Sequence, residues 1–456
     1  MFLLRTPAFR REARANLALA LPLVAAQISF VSMGTVDTLV AGRMGAAELA
    51  AVAVGANLWF LFFVLFMGLF MACSPIVAQG VGAGRPAPAL GAFVRGALGL
   101  ALLAGLVWML ALRLAIEPAL DLLDLEATTR AYAAEYLRVV SWSAVPFCLG
   151  FALRNAAEGQ GLTQAALWAG LLGGLVNAVA ACVLGFGLWG APQLGPVGCG
   201  WAMVLASLAM LASYAGLYHW HPRLQPMAAL RRGPLSPWNE LREILYLGGP
   251  IAAILAAEAW LFLGGALLMA RFGESAVAAH QVAINFASIT FMVPLSVGMA
   301  TTVRVGHAVG AGQHGEVRLR GQTGIVLGAA FALLSASIMA LLPQVIARAY
   351  TSVAEVAAAA AGFLYLAALF QVFDCVQATA NGALRGLKDT RLPMLITVSA
   401  YWIVGMPLAV VLAFHSPVGP AGIWWGFIAG LAVAAVGLAL RFHARSAFAA
   451  RRVPPA

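Results

Sequence analysis

Apolar runs of about 20 residues or more, separated by short polar stretches, recur along all 456 residues. Runs of that length suit helices that cross a hydrocarbon layer. They predict twelve spans, at 16–38, 50–78, 91–116, 136–153, 164–189, 197–220, 244–270, 276–301, 322–347, 356–380, 393–414 and 421–442. The longest polar interruption, 221–239, carries Pro222, Pro226, Arg231, Arg232, Gly233, Pro234 and Pro237. It reads as a cytoplasmic linker between an N-lobe over 1–220 and a C-lobe over 240–456.

Composition agrees with the pattern. At 62% hydrophobic residues and a mean hydropathy of +0.91, the chain holds more apolar surface than a soluble core can hide. The expected class is an all-α polytopic membrane protein. The basic start and the apolar run from Asn16 look like a secretory signal, but the run continues to Asp37 and further spans follow, so an uncleaved first helix is expected. Cys73, Cys148, Cys182, Cys199 and Cys375 are odd in number and lack paired spacing; they read as small apolar packers.

A net charge of +10 raises the question of nucleic acid, but the basic residues follow topology instead. With an even number of spans and the N-terminus inside, only Arg43, Arg113, Arg130, Arg138, Arg271 and Arg348 fall outside. The rest, from Arg5 through Arg154, Arg232, Arg304 and Arg385 to Arg452, fall on the inner side. The positive-inside rule then places both termini in the cytoplasm. Glu117, Asp121, Asp124 and Glu126 crowd one outer loop and read as a solvated surface.

The two halves repeat. The register that puts Pro22 on Pro250 also puts Arg43 on Arg271, Gly45 on Gly273, Asn57 on Asn285, and Gly82-Ala83-Gly84 on Gly310-Ala311-Gly312. Later, EGQGLT from Glu158 resembles RGLKDT from Arg385, and GPVGCGWA from Gly195 resembles GPAGIWWG from Gly419. Six spans per half give both halves the same orientation. Two six-helix bundles related by pseudo-two-fold symmetry are a transporter architecture, with the substrate path between them.

Against that duplicated scaffold stand three acids, Asp37, Glu258 and Asp374, in long apolar runs. A carboxylate in mid-membrane costs about 2.5–3.5 kcal/mol on insertion scales and usually serves an ion or substrate path. In the repeat registers they fall opposite Gly265, Phe30 and Phe147, so none is duplicated. Gln371, Asp374, Gln377 and Asn381 share one helical face. Such a stripe needs a wet or protein-buried partner. Glu258 follows Pro250 by two turns, where a bend opens a pocket or merely packs. Gln281 and Asn285 form a further polar patch, near a pocket or in packing. Asn57, Asn285 and Gln371 join the candidate substrate-binding set. His280 and His307 lack zinc-ligand spacing, and there is no Walker A sequence.

The stretches MGTVDTLVAGRMGAAELAAVAVG from Met33, AAHQVAINF from Ala278, RVGHAVGAG from Arg304 and NGALRGLKDTRLP from Asn381 resemble the NorM branch of the multidrug and toxic compound extrusion (MATE) family over nearly the whole chain. The resemblance implies a bacterial inner-membrane exporter that exchanges Na⁺ or H⁺ for amphipathic, often cationic drugs. It implies coupling through Asp37, Glu258 and Asp374, and drug contact at Asp37, Gln281 and Asn177. Two positions depart from some relatives: Phe370 stands where a tyrosine is linked to sodium, and Ala181 replaces a polar residue after Asn177. The coupling ion is therefore left open.

The expected mechanism is antiport by alternating access. Glu258 and Asp374 take up Na⁺ or H⁺ and release the drug, while Asp37 binds a proton or drug in the other lobe. The two C-lobe acids offer the oxygen ligands a hard cation prefers. Neither a resident cofactor nor an obligate protein partner is implied; anionic lipid fits the basic inner loops. A lipid-linked saccharide flippase would line its cavity with arginines, and an intramembrane enzyme would need a local catalytic motif. The chain is expected to be no enzyme.

Overall fold

The structure, a computed structural model, describes residues 6–123, 125–231 and 233–451. Arg5, Asp124, Arg232 and Arg452, and the side chain of Arg451, lie outside the described residues. Twelve helices are long and apolar enough to cross a membrane: Pro7–Met44, Ala46–Gly82, Ala87–Asp121, Ala127–Gly159, Gln164–Phe186, Pro196–Trp220, Trp238–Phe272, Glu274–Gly310, His314–Leu341, Ala354–Gly386, Arg391–Phe414 and Ala421–Ala447. They are called spans 1 to 12 below. No strand occurs among the described residues, so the all-α class holds.

Most helices outrun the apolar stretches that predicted them. The run 136–153 belongs to span 4, which begins at Ala127 and includes the polar Thr128, Thr129 and Arg130. Hydropathy marks what suits hydrocarbon, whereas the backbone ladder continues until a cap or proline ends it. Span 9 departs the other way. The run 322–347 is cut at Leu341, because Pro343 starts a separate short helix, Pro343–Tyr350. Proline has no N–H to continue the preceding ladder and is preorganised for a first turn.

The outer faces are greasy, as a lipid-facing surface requires. Leu103, Val107, Leu110 and Leu114 of span 3 are all exposed, and they recur at spacings of three and four on one helical face. The acidic cluster at the end of span 3 carries exposed ion pairs, Arg130 with Glu117 and Asp121 and Arg138 with Glu117.

The chain divides into two compact units. One holds residues up to Leu21, Ala78–Gly84 and everything from Ala253; the other holds Pro22–Val77 and Arg85–Ala252. Spans 1, 2 and 7 therefore contribute to both, and spans 1 and 7 change unit at or beside the repeated Pro22 and Pro250.

Within the first unit the repeat appears as reciprocal backbone contact. A Cβ at Gly82 would collide with the His307 carbonyl, and one at Gly310 would collide with the Gln79 carbonyl. Gln79 and His307 are themselves repeat mates, so the same close approach is built twice. Each strip then turns through a left-handed glycine, Gly84 and Gly312, both at φ 69°, a conformation glycine adopts without steric strain. Gln79 Nε2 also donates to the Gly386 carbonyl at 2.9 Å, and the buried Glu12 is ion-paired to Arg304.

In the second unit, aromatic rings fill the space between spans 1, 2, 3 and 4. Phe63 stacks on Phe30 and Trp59 at 5.0 and 4.9 Å and meets Phe147 and Phe151 edge-on. The linker folds onto span 3: Arg95 donates to the carbonyls of Ala228 and Pro234, at 2.8 Å to each.

Candidate functional site

Two acid sites emerge, one in each unit, with Asp37 and Asp374 buried and Glu258 partly exposed. In the second unit Asp37 lies about two turns before the C-terminal end of span 1 and is only 3% exposed. Asn177 of span 5 donates from Nδ2 to Asp37 Oδ1 at 3.3 Å, while Asn177 Oδ1 has no partner. The Cys199 thiol of span 6 donates to the Asp37 backbone carbonyl at 3.9 Å. The pairing of Asp37 with Asn177 joins two positions that the family resemblance singled out. Ala181, one turn beyond Asn177, is fully buried and offers only a methyl group.

In the first unit Glu258 of span 7 and Asp374 of span 10 interact electrostatically. Glu258 lies beside the side chains of Gln377 and Tyr401, and Gln377 Nε2 donates to the Tyr401 hydroxyl at 3.0 Å. Tyr401 sits in the π-helical segment Ala400–Gly405 of span 11; such segments often occur at functional positions.

The polar face of span 10 is buried. Gln371, Asp374, Gln377 and Asn381 are each no more than 3% exposed. One side-chain oxygen of each, Gln371 Oε1, Asp374 Oδ1, Gln377 Oε1 and Asn381 Oδ1, lacks a donor. Buried oxygens are normally satisfied. A row of four acceptors without donors suits a cation or proton carrier, since either supplies the positive partner they lack. These are oxygen ligands of the kind a hard cation takes.

Phe370, one turn before Asp374, packs between Phe262 and Trp424 at 5.8 Å from each. That position contributes no hydroxyl. The hydroxyl that reaches Glu258 comes from Tyr401 instead, which no local motif in span 11 announced. Gln281, Asn57 and Asn285 are exposed and join neither acid site through any described contact; Asn285 Oδ1 accepts a hydrogen bond from the Tyr350 hydroxyl at 2.9 Å.

Two arginines placed by sequence among the inner basic residues are buried within helices. Arg154 of span 4 is 7% exposed and donates from Nε to Glu158 Oε1 at 2.7 Å and from Nη2 to Gln27 at 3.1 Å. Arg385 of span 10 is 7% exposed and its Nε lacks a partner. Hydropathy reads both as span ends because it cannot see inter-helix partners.

Known proteins resemble this chain in sequence and in fold. A family model described as MatE matches twice, at residues 22–183 and 250–411, and the two matches begin on Pro22 and Pro250, the register of the internal repeat. The multidrug resistance protein MdtK of Edwardsiella ictaluri (strain 93-146) is 37% identical over 442 residues, covering 95% of each chain. The multidrug resistance protein PmpM of Pseudomonas aeruginosa is 37% identical over 450 residues, 96% of this chain and 92% of that one. Among solved structures, the eukaryotic MATE transporter AtDTX14 matches with a TM-score of 0.86 at 21% identity, over 98% of this chain and 100% of that one. The Vibrio cholerae MATE transporter VcmN in its bent form matches with a TM-score of 0.85 at 18% identity, over 97% and 99%. At those identities the structures speak to fold alone. With its model matched in both halves and its curated relatives aligned almost end to end, the chain belongs to the MatE family, the MATE transporters.

Proposed function

We propose that the protein is a multidrug efflux antiporter of the bacterial inner membrane, with both termini in the cytoplasm. It exports amphipathic, often cationic compounds in exchange for Na⁺ or H⁺. The observation that carries this reading is the pair of acid sites on otherwise duplicated scaffold, one around the buried Asp37 and one around Glu258 and the buried Asp374. The names of the relatives MdtK and PmpM, both multidrug resistance proteins, support the substrate class.

Coupling follows from charge. A lone carboxylate buried in a membrane bundle is expensive, so each site favours a cation, whether coupling ion or drug. Glu258 and Asp374 exchange the coupling ion, with the Gln377–Tyr401 pair orienting Glu258. Asp37, oriented by Asn177, takes a proton or the drug. Alternating access of the lobes over 1–220 and 240–456 then exposes the sites to each side in turn. The buried Arg154 does not favour a pyrophosphate-binding flippase, since it is paired with Glu158.

The test is efflux from proteoliposomes under imposed Na⁺ or H⁺ gradients, with wild type beside Asp37→Asn, Glu258→Gln and Asp374→Asn. Gradient-driven efflux lost in the acid variants is expected, and the gradient that drives the wild type names the ion. Unchanged transport in all three variants would overturn the proposal.

A further inference from the structure

A cluster of charges at one membrane end of the first unit takes no part in the acid sites. Asp389, in the short turn between spans 10 and 11, is 8% exposed. Its Oδ2 accepts from Arg441 Nε at 2.9 Å and from Arg445 Nε at 3.0 Å. The two arginines are four residues apart on span 12, so they stand one above the other on one face. One carboxylate thus fixes two guanidiniums, and the three charges sum to +1.

The turn itself does not need this cluster. In the register that puts Gly159 on Gly386, Asp389 falls opposite Leu162, and the backbone closes both turns alike: Asp389 N–H donates to the Leu384 carbonyl and Leu162 N–H to the matching Ala157 carbonyl, each at 3.0 Å. In the register that puts Gly195 on Gly419, Arg441 and Arg445 fall opposite Leu217 and His221. The charges are therefore an addition to the duplicated scaffold.

Their setting indicates what they meet. Each arginine spends its Nε on Asp389, which leaves its terminal amino groups outside that bond. The Arg441 and Arg445 side chains are 28% and 48% exposed. Beside them, Val436 and Leu440 of span 12 and Leu392 and Leu395 of span 11 are exposed apolar residues, and Gly437 brings span 12 so close to Ile396 that a Cβ there would lie 2.9 Å from it. Two greasy edges thus flank a tight seam that ends at a pair of guanidiniums. A guanidinium fork matches the oxygens of a phosphate, and one phosphodiester charge neutralises the +1 cluster.

We propose that Arg441 and Arg445, held by Asp389, bind the phosphodiester headgroup of an anionic phospholipid, with its acyl chains along Leu395 and Leu440. Basic residues at span ends favour anionic lipid in general; here the recognition is local and takes one molecule.

The test is native mass spectrometry of the purified full chain in mild detergent, titrated with phosphatidylglycerol or with zwitterionic phosphatidylcholine. The first phosphatidylglycerol is expected to bind the wild type about tenfold tighter than phosphatidylcholine, and Arg441→Gln or Arg445→Gln each to abolish that preference. Arg318→Gln, an exposed arginine on span 9, is expected to keep it. Excess inorganic phosphate is expected to leave the lipid bound. Equal affinity for the two lipids, an unchanged preference in both site variants, or an equal loss in Arg318→Gln overturns the proposal. So does displacement by phosphate, which marks a site for a free anion, and so does failure of both site variants to fold, which marks a structural clamp.

Discussion

The Arg154–Glu158 pair should be essential to the stability of the second unit, and asymmetrically so. Glu158 is 1% exposed and Arg154 7%, so neither charge has water to fall back on. Replacing Glu158 by Leu leaves Arg154 with only the Gln27 amide oxygen, 3.1 Å away. Removing one partner of a buried pair costs about 3–5 kcal/mol, whereas replacing both by well-packed apolar residues is often near neutral. Glu158→Leu is therefore expected to lose about 3–5 kcal/mol. Arg154→Met should lose less, because a stranded carboxylate can accept a proton and a guanidinium cannot give one up. The double variant should recover to within about 1–2 kcal/mol of wild type. Equilibrium unfolding in mixed micelles, followed by tryptophan fluorescence, measures the whole cycle. Single effects below about 1 kcal/mol, or a double variant that merely adds the singles, would refute the claim that the pair is desolvated and mutually dependent.

Three further outcomes follow from the sites. Asn177→Leu removes the side-chain donor to Asp37, and a hydrogen bond to a charged group contributes about 1.5–3 kcal/mol; drug efflux in vesicles should fall by about tenfold or more, with protein levels unchanged. Tyr401→Phe keeps the ring and deletes the hydroxyl that reaches Glu258; coupling-cation affinity, read from the ion concentration that half-saturates efflux, should weaken while Phe370→Tyr leaves Tyr401's contribution in place. Gly82→Val forces a side chain into the His307 carbonyl, so the melting temperature of the purified protein should fall, by an amount matching about 1–3 kcal/mol of overpacking.

Much of the architecture was legible from periodicity alone. Apolar length announced twelve helices, and the repeat register recovered from Pro22 and Pro250 is the one in which the family model matches twice. The three acids stood out because charge is rare in such runs. Spacing also placed Gln371, Asp374, Gln377 and Asn381 on one face, since helical geometry is local. What stayed hidden was tertiary. Tyr401 is an ordinary aromatic residue in an apolar run until span 11 is folded against span 7, and Arg385 looked like a span-end cation until its burial was seen. Gln281, Asn57 and Asn285, which the sequence offered for substrate contact, are exposed side chains outside both acid clusters. The end of span 9 was missed for a local reason: hydropathy passed through Pro343, which the backbone does not.

The central claim is that the acid pair in the first unit converts a cation gradient into uphill drug export. It is tested most directly by the Glu258→Gln, Asp374→Asn double variant in proteoliposomes, with ethidium extrusion against its own gradient as the readout. The account predicts that the wild type drives uphill extrusion under the coupling-ion gradient and that the double variant only lets ethidium run downhill. Uphill extrusion by the double variant at the wild-type rate would contradict it.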